Sequence, residues 1–338
     1  MTAVLPEGVT RGREAFASAM TASLERLHPR LRLVAAYHRG LVDAEGNPLP
    51  QGGGKLLRPA LVMLGAEGVG STATAAMPAA VASELVHDFS LLHDDLMDGD
   101  VERRHRPTAW VVFGLGAAVL AGDGLLSLAT EVIGEADGPG RPVAERLLAH
   151  AVSRLVNGQA DDLAFEGRLD VTVADYLSMA ADKTSALLSC SAAIGAALVG
   201  ADSETVNGLA EFGEHLGLAF QLVDDLLGLW GEPEVTGKPV LSDLRSRKKS
   251  APVVMALEAG GAGSEQLRDH LAGTGDPGEE ALRALADIVV SLGGADAVSA
   301  EIERRMAAAQ EALAAIDLKD SVREDLLAAA RYVTARDR

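Results

Sequence analysis

The chain has little of several things, and each shortage excludes something. One cysteine, Cys190, occurs among 338 residues. No internal disulfide can therefore form, and a reducing compartment fits. Aromatic residues make up 3% of the chain against 48% hydrophobic residues in all. Its apolar content is mostly aliphatic, with Ala and Leu dominating long stretches, which suits a close-packed helical core. Sustained period-two alternation is missing; the one strand-like stretch is AWVVFGLG, residues 109–116, and it is short. No run of 18 or more apolar residues is free of charge, so no membrane span is expected. The N-terminal segment MTAVLPEGVTRGREAF has no apolar h-region and does not read as a signal peptide, so a cytoplasmic location is expected. Positive charge is the scarcer sign, with 30 Lys and Arg against 49 Asp and Glu and a net charge of −19, which argues against a nucleic-acid partner.

What is present is helix, almost end to end. Amphipathic patterns cover 12–27 and 30–42, and further helices are expected over roughly 56–67, 75–98, 107–117, 119–136 and 143–166. Thr172 with Asp175 has the spacing of a capping box that opens a helix running to about 199, and another helix spans 203–230. Ser321 with Glu324 has the same spacing ahead of a last helix. The Gly/Pro-containing basic segment 231–250 is expected to be a surface loop and a candidate lid over bound ligand. Residues 1–10 are a candidate for disorder. Neither loose region reads as a linker, so the expectation is all-α: residues 1–338 form one large helical domain around a deep central cavity.

The most informative feature is a pair of pairs. Asp94-Asp95, in SLLHDDLMDGD, and Asp224-Asp225, in FQLVDDLLGLWG, lie 130 residues apart in similar apolar helical contexts. Paired carboxylates are costly to bury unless a cation compensates. Two such sites point to a cavity holding several divalent ions, and hard oxygen ligands favour Mg2+ completed by water and phosphate oxygens. Asp94 and Asp98, at i and i+4, share a helix face with Cβ atoms about 5–6 Å apart. Apolar residues before them argue against a merely solvated helix end. Asp100 and Glu102 read as surface acids. RRHRPT follows at 103–108, where Arg103 and Arg104 could grip the polyphosphate that the metals hold.

Taken with GGGKLLRP (52–59), ELVHDFSLLHDDLMD (84–98), GQADDL (158–163), KTSALL (183–188) and FQLVDDLLG (220–228), the sequence resembles the trans-isoprenyl diphosphate synthases, the polyprenyl synthetase family, over nearly its whole length. The resemblance implies the isoprenoid synthase fold, a homodimer, and head-to-tail condensation of isopentenyl diphosphate with an allylic diphosphate held by three Mg2+. It implies metal ligation by Asp94, Asp98 and Asp224, supported by Asp95 and Asp225. It places the allylic diphosphate against Arg103, Lys183 and Lys238, and isopentenyl diphosphate against Lys55, Arg58, His87 and Arg104. Thr184 and Gln221 match groups facing the developing carbocation. Two positions depart from the pattern. His105 stands where the family commonly has Gly, and Gly228 stands where the second motif often has a third acid. The tail RYVTARDR (331–338) resembles tails that help close the site.

The residues support this independently. Diphosphate leaves an apolar cavity only if its growing charge is neutralised, and a carbocation survives only where water is excluded. Acids and bases at the rim of an aliphatic helical core meet both needs. Cys190 then reads as a core residue and His93 as a structural group. Product length is expected to depend on what lies beneath the first motif. Ser90, at i−4 from Asp94, is small; Phe89, at i−5, lies about 7.5 Å down the helix axis. The resemblance pairs that pattern with a 20-carbon product, geranylgeranyl diphosphate, with 15-carbon and 25-carbon or longer products as the open alternatives. A class I terpene cyclase and a non-catalytic synthase subunit are further alternatives. The cyclase would not need GGGKLLRP, and such a subunit usually loses the ligands retained here.

Overall fold

Residues 7–50, 56–232, 239–275 and 277–335 are described by a computed structural model. Its helices are α1 (Glu7–Thr10), α2 (Arg13–Leu24), α3 (Pro29–His38), α4 (Leu57–Gly68), α5 (Met77–Met97), α6 (Ala109–Phe113), α7 (Leu115–Gly134), α8 (Arg141–Glu166), α9 (Val173–Ala180), α10 (Ala186–Leu198) and α11 (Ser203–Trp230). They continue with α12 (Ser242–Arg245), α13 (Ala251–Ala259), α14 (Ser264–Ala272), α15 (Glu279–Ser291), α16 (Gly294–Ala314) and α17 (Asp320–Thr334).

Local chemistry sets many of the boundaries. The Thr172–Asp175 capping box opens α9 with both reciprocal hydrogen bonds. The Asp202 side chain accepts from the Thr205 N–H and caps α11. Proline occupies the first turn of α3, α5, α8 and α13, where its missing N–H costs nothing. Ser321 and Glu324 form no such box: α17 starts at Asp320, after Lys319, without a side-chain cap.

Other expectations also needed correction. Residues 7–10, a candidate for disorder, form α1, and Val9 packs with Ala60 and Ala329. The strand-like 109–116 is helical on both sides of Gly114, whose φ of 86° breaks α6 from α7. The surface-loop reading of 231–250 fails over its C-terminal half, where α12 turns and buries Leu241 and Leu244 with α13, α14 and α15. Unforeseen was a small hairpin, β1 (Glu102–Arg103) with β2 (Arg106–Pro107), the only strands among the described residues. The fold is all-α around it.

The core is aliphatic, as the shortage of aromatics requires. One cluster joins α2, α3, α4, α5, α7, α8 and α10, and a second joins α4, α10, α11, α16 and α17. Cys190 is buried within the first. By length and composition α7 could cross a membrane, but it carries Asp123 and Glu131 and packs against α5 and α3. Helices α5, α8, α10 and α11 surround the cavity that follows.

Candidate active site

Helical periodicity places the polar groups. On α5, Glu84, His87, Leu91 and Asp94 recur at spacings of three and four and line one cavity. On α11, Phe220, Gln221 and Asp224 do the same from across it. Arg58 opens α4, Lys183 and Thr184 precede α10, Arg103 and Arg104 come from the hairpin, and Lys248 follows α12. Leu56, Leu57, Leu155, Leu187 and Leu188 supply the apolar wall, with Tyr332 and Val333 of α17. The cavity measures about 690 Å³. Two groups of predicted residues are thus brought together from five separate stretches of chain. Lys55 and Lys238 lie outside the described residues.

The two members of each aspartate pair face differently. Asp94 and Asp224 line the cavity. Burial pushes Asp94 up to about 6, against the pull of Lys183 and with a further push from Asp98. Asp98 is exposed and caps α5, its N–H donating to Asp94 O at 2.8 Å. Asp95 turns inward, accepting from Arg103 Nε at 2.5 Å with His38 Nδ1 at 3.9 Å. Asp225 is 2% exposed and accepts from Tyr176 Oη at 2.6 Å, Ala251 N–H at 2.7 Å and Gln221 Nε2 at 2.9 Å. It fastens α9 and α13 to α11. Gln221 is oriented at both ends, because its Oε1 accepts from Thr184 Oγ1 at 2.6 Å.

Lys183 and Thr184 owe their placement to a π turn, Ala181–Ser185, that interrupts the helix expected to run unbroken to 199. Such turns frequently mark functional positions. Gly158 of α8 makes the turn possible, since a Cβ there would lie 2.7 Å from the Asp182 carbonyl carbon and closer still to Lys183 N. Lys183 Nζ pairs with Asp162, an acid of the GQADDL stretch to which no role was assigned from sequence.

The basic side is equally organised. Arg58 is buried with its Nε unpartnered among protein atoms, and burial lowers its pKa. Beneath it Arg39 pairs with Asp88 and, at 3.7 Å, with Glu84. Burial pushes Glu84 up to about 7, opposed by Arg39 and reinforced by Asp88. Sequence reasoning missed this network, because Arg39 sits in a stretch with no motif. Burial and then the neighbouring Arg58 and Arg104 hold His87 well below its usual pKa, so it is neutral. Arg104 and His105 form the two-residue turn of the hairpin with φ of 53° and 60°. Two successive positive φ values define a type I′ turn, which favours glycine. This explains why a Gly at position 105 would fit.

Ser90 lines the cavity, whereas Phe89 is packed in the core with its ring edge against His93, centroids 4.9 Å apart. His93 Nε2 lies 3.1 Å from Val119 O, so it ties α5 to α7.

Among the described residues no three carboxylates, imidazoles or thiols converge into a complete metal cage. Asp94 and Asp224, each a single carboxylate with cavity space beside it, suit Mg2+, which keeps several waters and is completed by phosphate oxygens.

Comparison with known proteins follows this geometry closely. The polyprenyl synthetase family model matches residues 42–289. The chain is 45% identical over 315 residues to the (2E,6E)-farnesyl diphosphate synthase of Mycobacterium tuberculosis, covering 92% of this chain and 88% of that protein. It is 42% identical over 318 residues to the geranylgeranyl diphosphate synthase of the same organism, covering 93% and 89%. A crystal structure of a polyprenyl synthetase from Streptomyces coelicolor A3(2) superposes with a TM-score of 0.92 at 48% identity, covering 97% of this chain and 98% of that one.

Proposed function

Because this chain belongs to the polyprenyl synthetase family, we propose that it is a trans-prenyltransferase that joins isopentenyl diphosphate head to tail to an allylic diphosphate, with Mg2+, chiefly to the 20-carbon stage. The observation that carries the proposal is the division of a single cavity. Acids and bases occupy one part, Asp94, Asp224, Lys183, Arg58, Arg103 and Arg104, and leucines wall the rest.

Each protein group has work to do there. Lys183 and Arg103 hold the allylic diphosphate, and Arg58, Arg104 and neutral His87 hold isopentenyl diphosphate. Lys55 and Lys238 are assigned to the same two sites by their motifs. Bound Mg2+ neutralises charge building on the departing diphosphate. Thr184 and Gln221, locked to each other and to Asp225, present fixed dipoles toward the allylic carbon as it becomes positive. Leucines around it exclude water that would capture the cation. No protein nucleophile is needed.

The paired diphosphate sites favour elongation over cyclisation, which would use one diphosphate only. Relatives named for farnesyl and for geranylgeranyl products are nearly equally similar, at 45% and 42%. The length assignment therefore rests on α5: Ser90 leaves room beside Asp94, and Phe89 backed by His93 closes the seam toward α7. A homodimer fits the exposed Val111, Val112, Leu115 and Leu120 along α6 and α7, and a cytoplasmic setting suits the single buried thiol. The test is product chromatography with isopentenyl diphosphate, Mg2+ and dimethylallyl, geranyl or farnesyl diphosphate in turn. A 20-carbon product that lengthens in Phe89→Ala is expected. An unchanged profile in that variant would discard the Phe89 assignment.

A further inference from the structure

The acid missing from the second aspartate motif has a counterpart in space. Gly228 lies on α11 one turn beyond Asp224. A Cβ built on it would sit 2.6 Å from Asp243 Cγ and 2.8 Å from Oδ1, with Oδ2 nearer still. The Asp243 carboxylate therefore occupies the space that a side chain at 228 would need.

The backbone holds it there. Ser242 Oγ donates to Gly228 O at 3.2 Å and Leu241 N–H to Leu229 O at 3.1 Å. Lys248 N–H closes back on Asp243 O at 2.8 Å. Leu241 and Arg247, on either side of α12, both take positive φ, 63° and 56°. Strain of that kind persists where the surroundings over-determine the conformation, and it clusters at functional sites. Buried Leu241 and Leu244 anchor the turn. The carboxylate also shares the electrostatic neighbourhood of the site. Lys248, which lines the cavity, is influenced by Asp225, Asp243, Asp162 and Asp98, and these raise its pKa against the effect of burial.

We propose that Asp243 is the third carboxylate of the second aspartate site, a positioning residue delivered by α12 instead of α11, and that Gly228 is the residue that makes room for it. The proposal rests on the prenyltransferase reading. Its ligand is the divalent cation held at Asp224, reached directly or through that ion's waters. A consequence is counter-intuitive: restoring an acid at 228 evicts one at 243 and does not complete the site.

The experiment measures Mn2+ binding to the full chain by electron paramagnetic resonance in the presence of inorganic diphosphate. Asp243→Gly should weaken the diphosphate-dependent Mn2+ affinity by about 10- to 100-fold, the usual cost of losing a supporting group at a metal site. Gly228→Asp alone should weaken it too. The double swap Gly228→Asp/Asp243→Gly should recover most of the loss, which a merely structural role for Asp243 would not allow. If Asp243→Gly does not keep the native helical melting transition, Asp243→Asn carries the same expectation with the packing volume retained. Native-like affinity in Asp243→Gly or Asp243→Asn, or no recovery in the swap, would overturn the proposal while leaving the enzyme reading intact. A wild-type chain without diphosphate-dependent Mn2+ binding would overturn both.

Discussion

At the scale of single residues, burial decides which groups carry charge. His38 faces Asp95 with a side chain only 5% exposed. Burial, then the guanidiniums of Arg103, Arg104, Arg39 and Arg106, lower its pKa from 6.5 to about 3. Between those values the unfolded chain binds a proton at this position that the folded chain refuses. Stability is therefore lost as pH falls through that window, by at most about 1.4 kcal/mol per pH unit from this group. His87 contributes in the same direction. Denaturant unfolding of His38→Gln at pH 7 and pH 4.5 should show a smaller acid loss than the parent; an equal loss would refute the assignment. His105 makes a second residue-scale prediction. At φ 60° its Cβ is strained, and His105→Gly should stabilise the protein by about 0.5–1 kcal/mol in thermal melts. A lower melting temperature would contradict the turn assignment. The sequence marked position 105 as unusual, but only backbone angles reveal why. The same holds for Asp225, whose motif puts it beside a metal ligand while its three donors make it an internal fastener.

At the scale of elements, what could be read from the sequence depended on whether a signal was local. The capping box at Thr172 was legible because both partners lie within one turn. The π turn at 181–185 was not, because its cause is a close approach from α8, 25 residues upstream of Lys183 at Gly158. The hairpin escaped notice because two-residue strands have no periodicity to detect. The π turn gives a direct test. Gly158→Ala forces a methyl against the Asp182–Lys183 backbone, which cannot yield as a flexible side chain would. A destabilisation of about 1–3 kcal/mol is expected, with a rise in KM for the allylic diphosphate as Lys183 shifts. Unchanged stability and KM would mean that the turn does not depend on this contact.

At the scale of the whole molecule, the shortage of basic residues proves uninformative about the substrate. A chain of net charge −19 gathers Arg58, Arg103, Arg104, Lys183 and Lys248 into one cavity, so the local field favours diphosphate despite the total. The motifs carried that inference from sequence, because each keeps its basic and acidic residues at helical or turn spacing. The surface pairing was not legible, since exposure is a property of the assembled fold. Leu115 and Leu120, 61% and 58% exposed on α7, place an apolar strip there. Leu120→Asp should convert a sedimenting dimer to monomer, and an unaltered dimer would put the interface elsewhere. The most direct measurement is diphosphate release by the purified chain given geranyl diphosphate and Mg2+, with and without isopentenyl diphosphate. Release of one diphosphate for each five-carbon unit added, dependent on isopentenyl diphosphate and lost in Asp224→Ala, is the predicted result. Release without isopentenyl diphosphate, or none with both substrates, would contradict the assignment of this cavity to chain elongation.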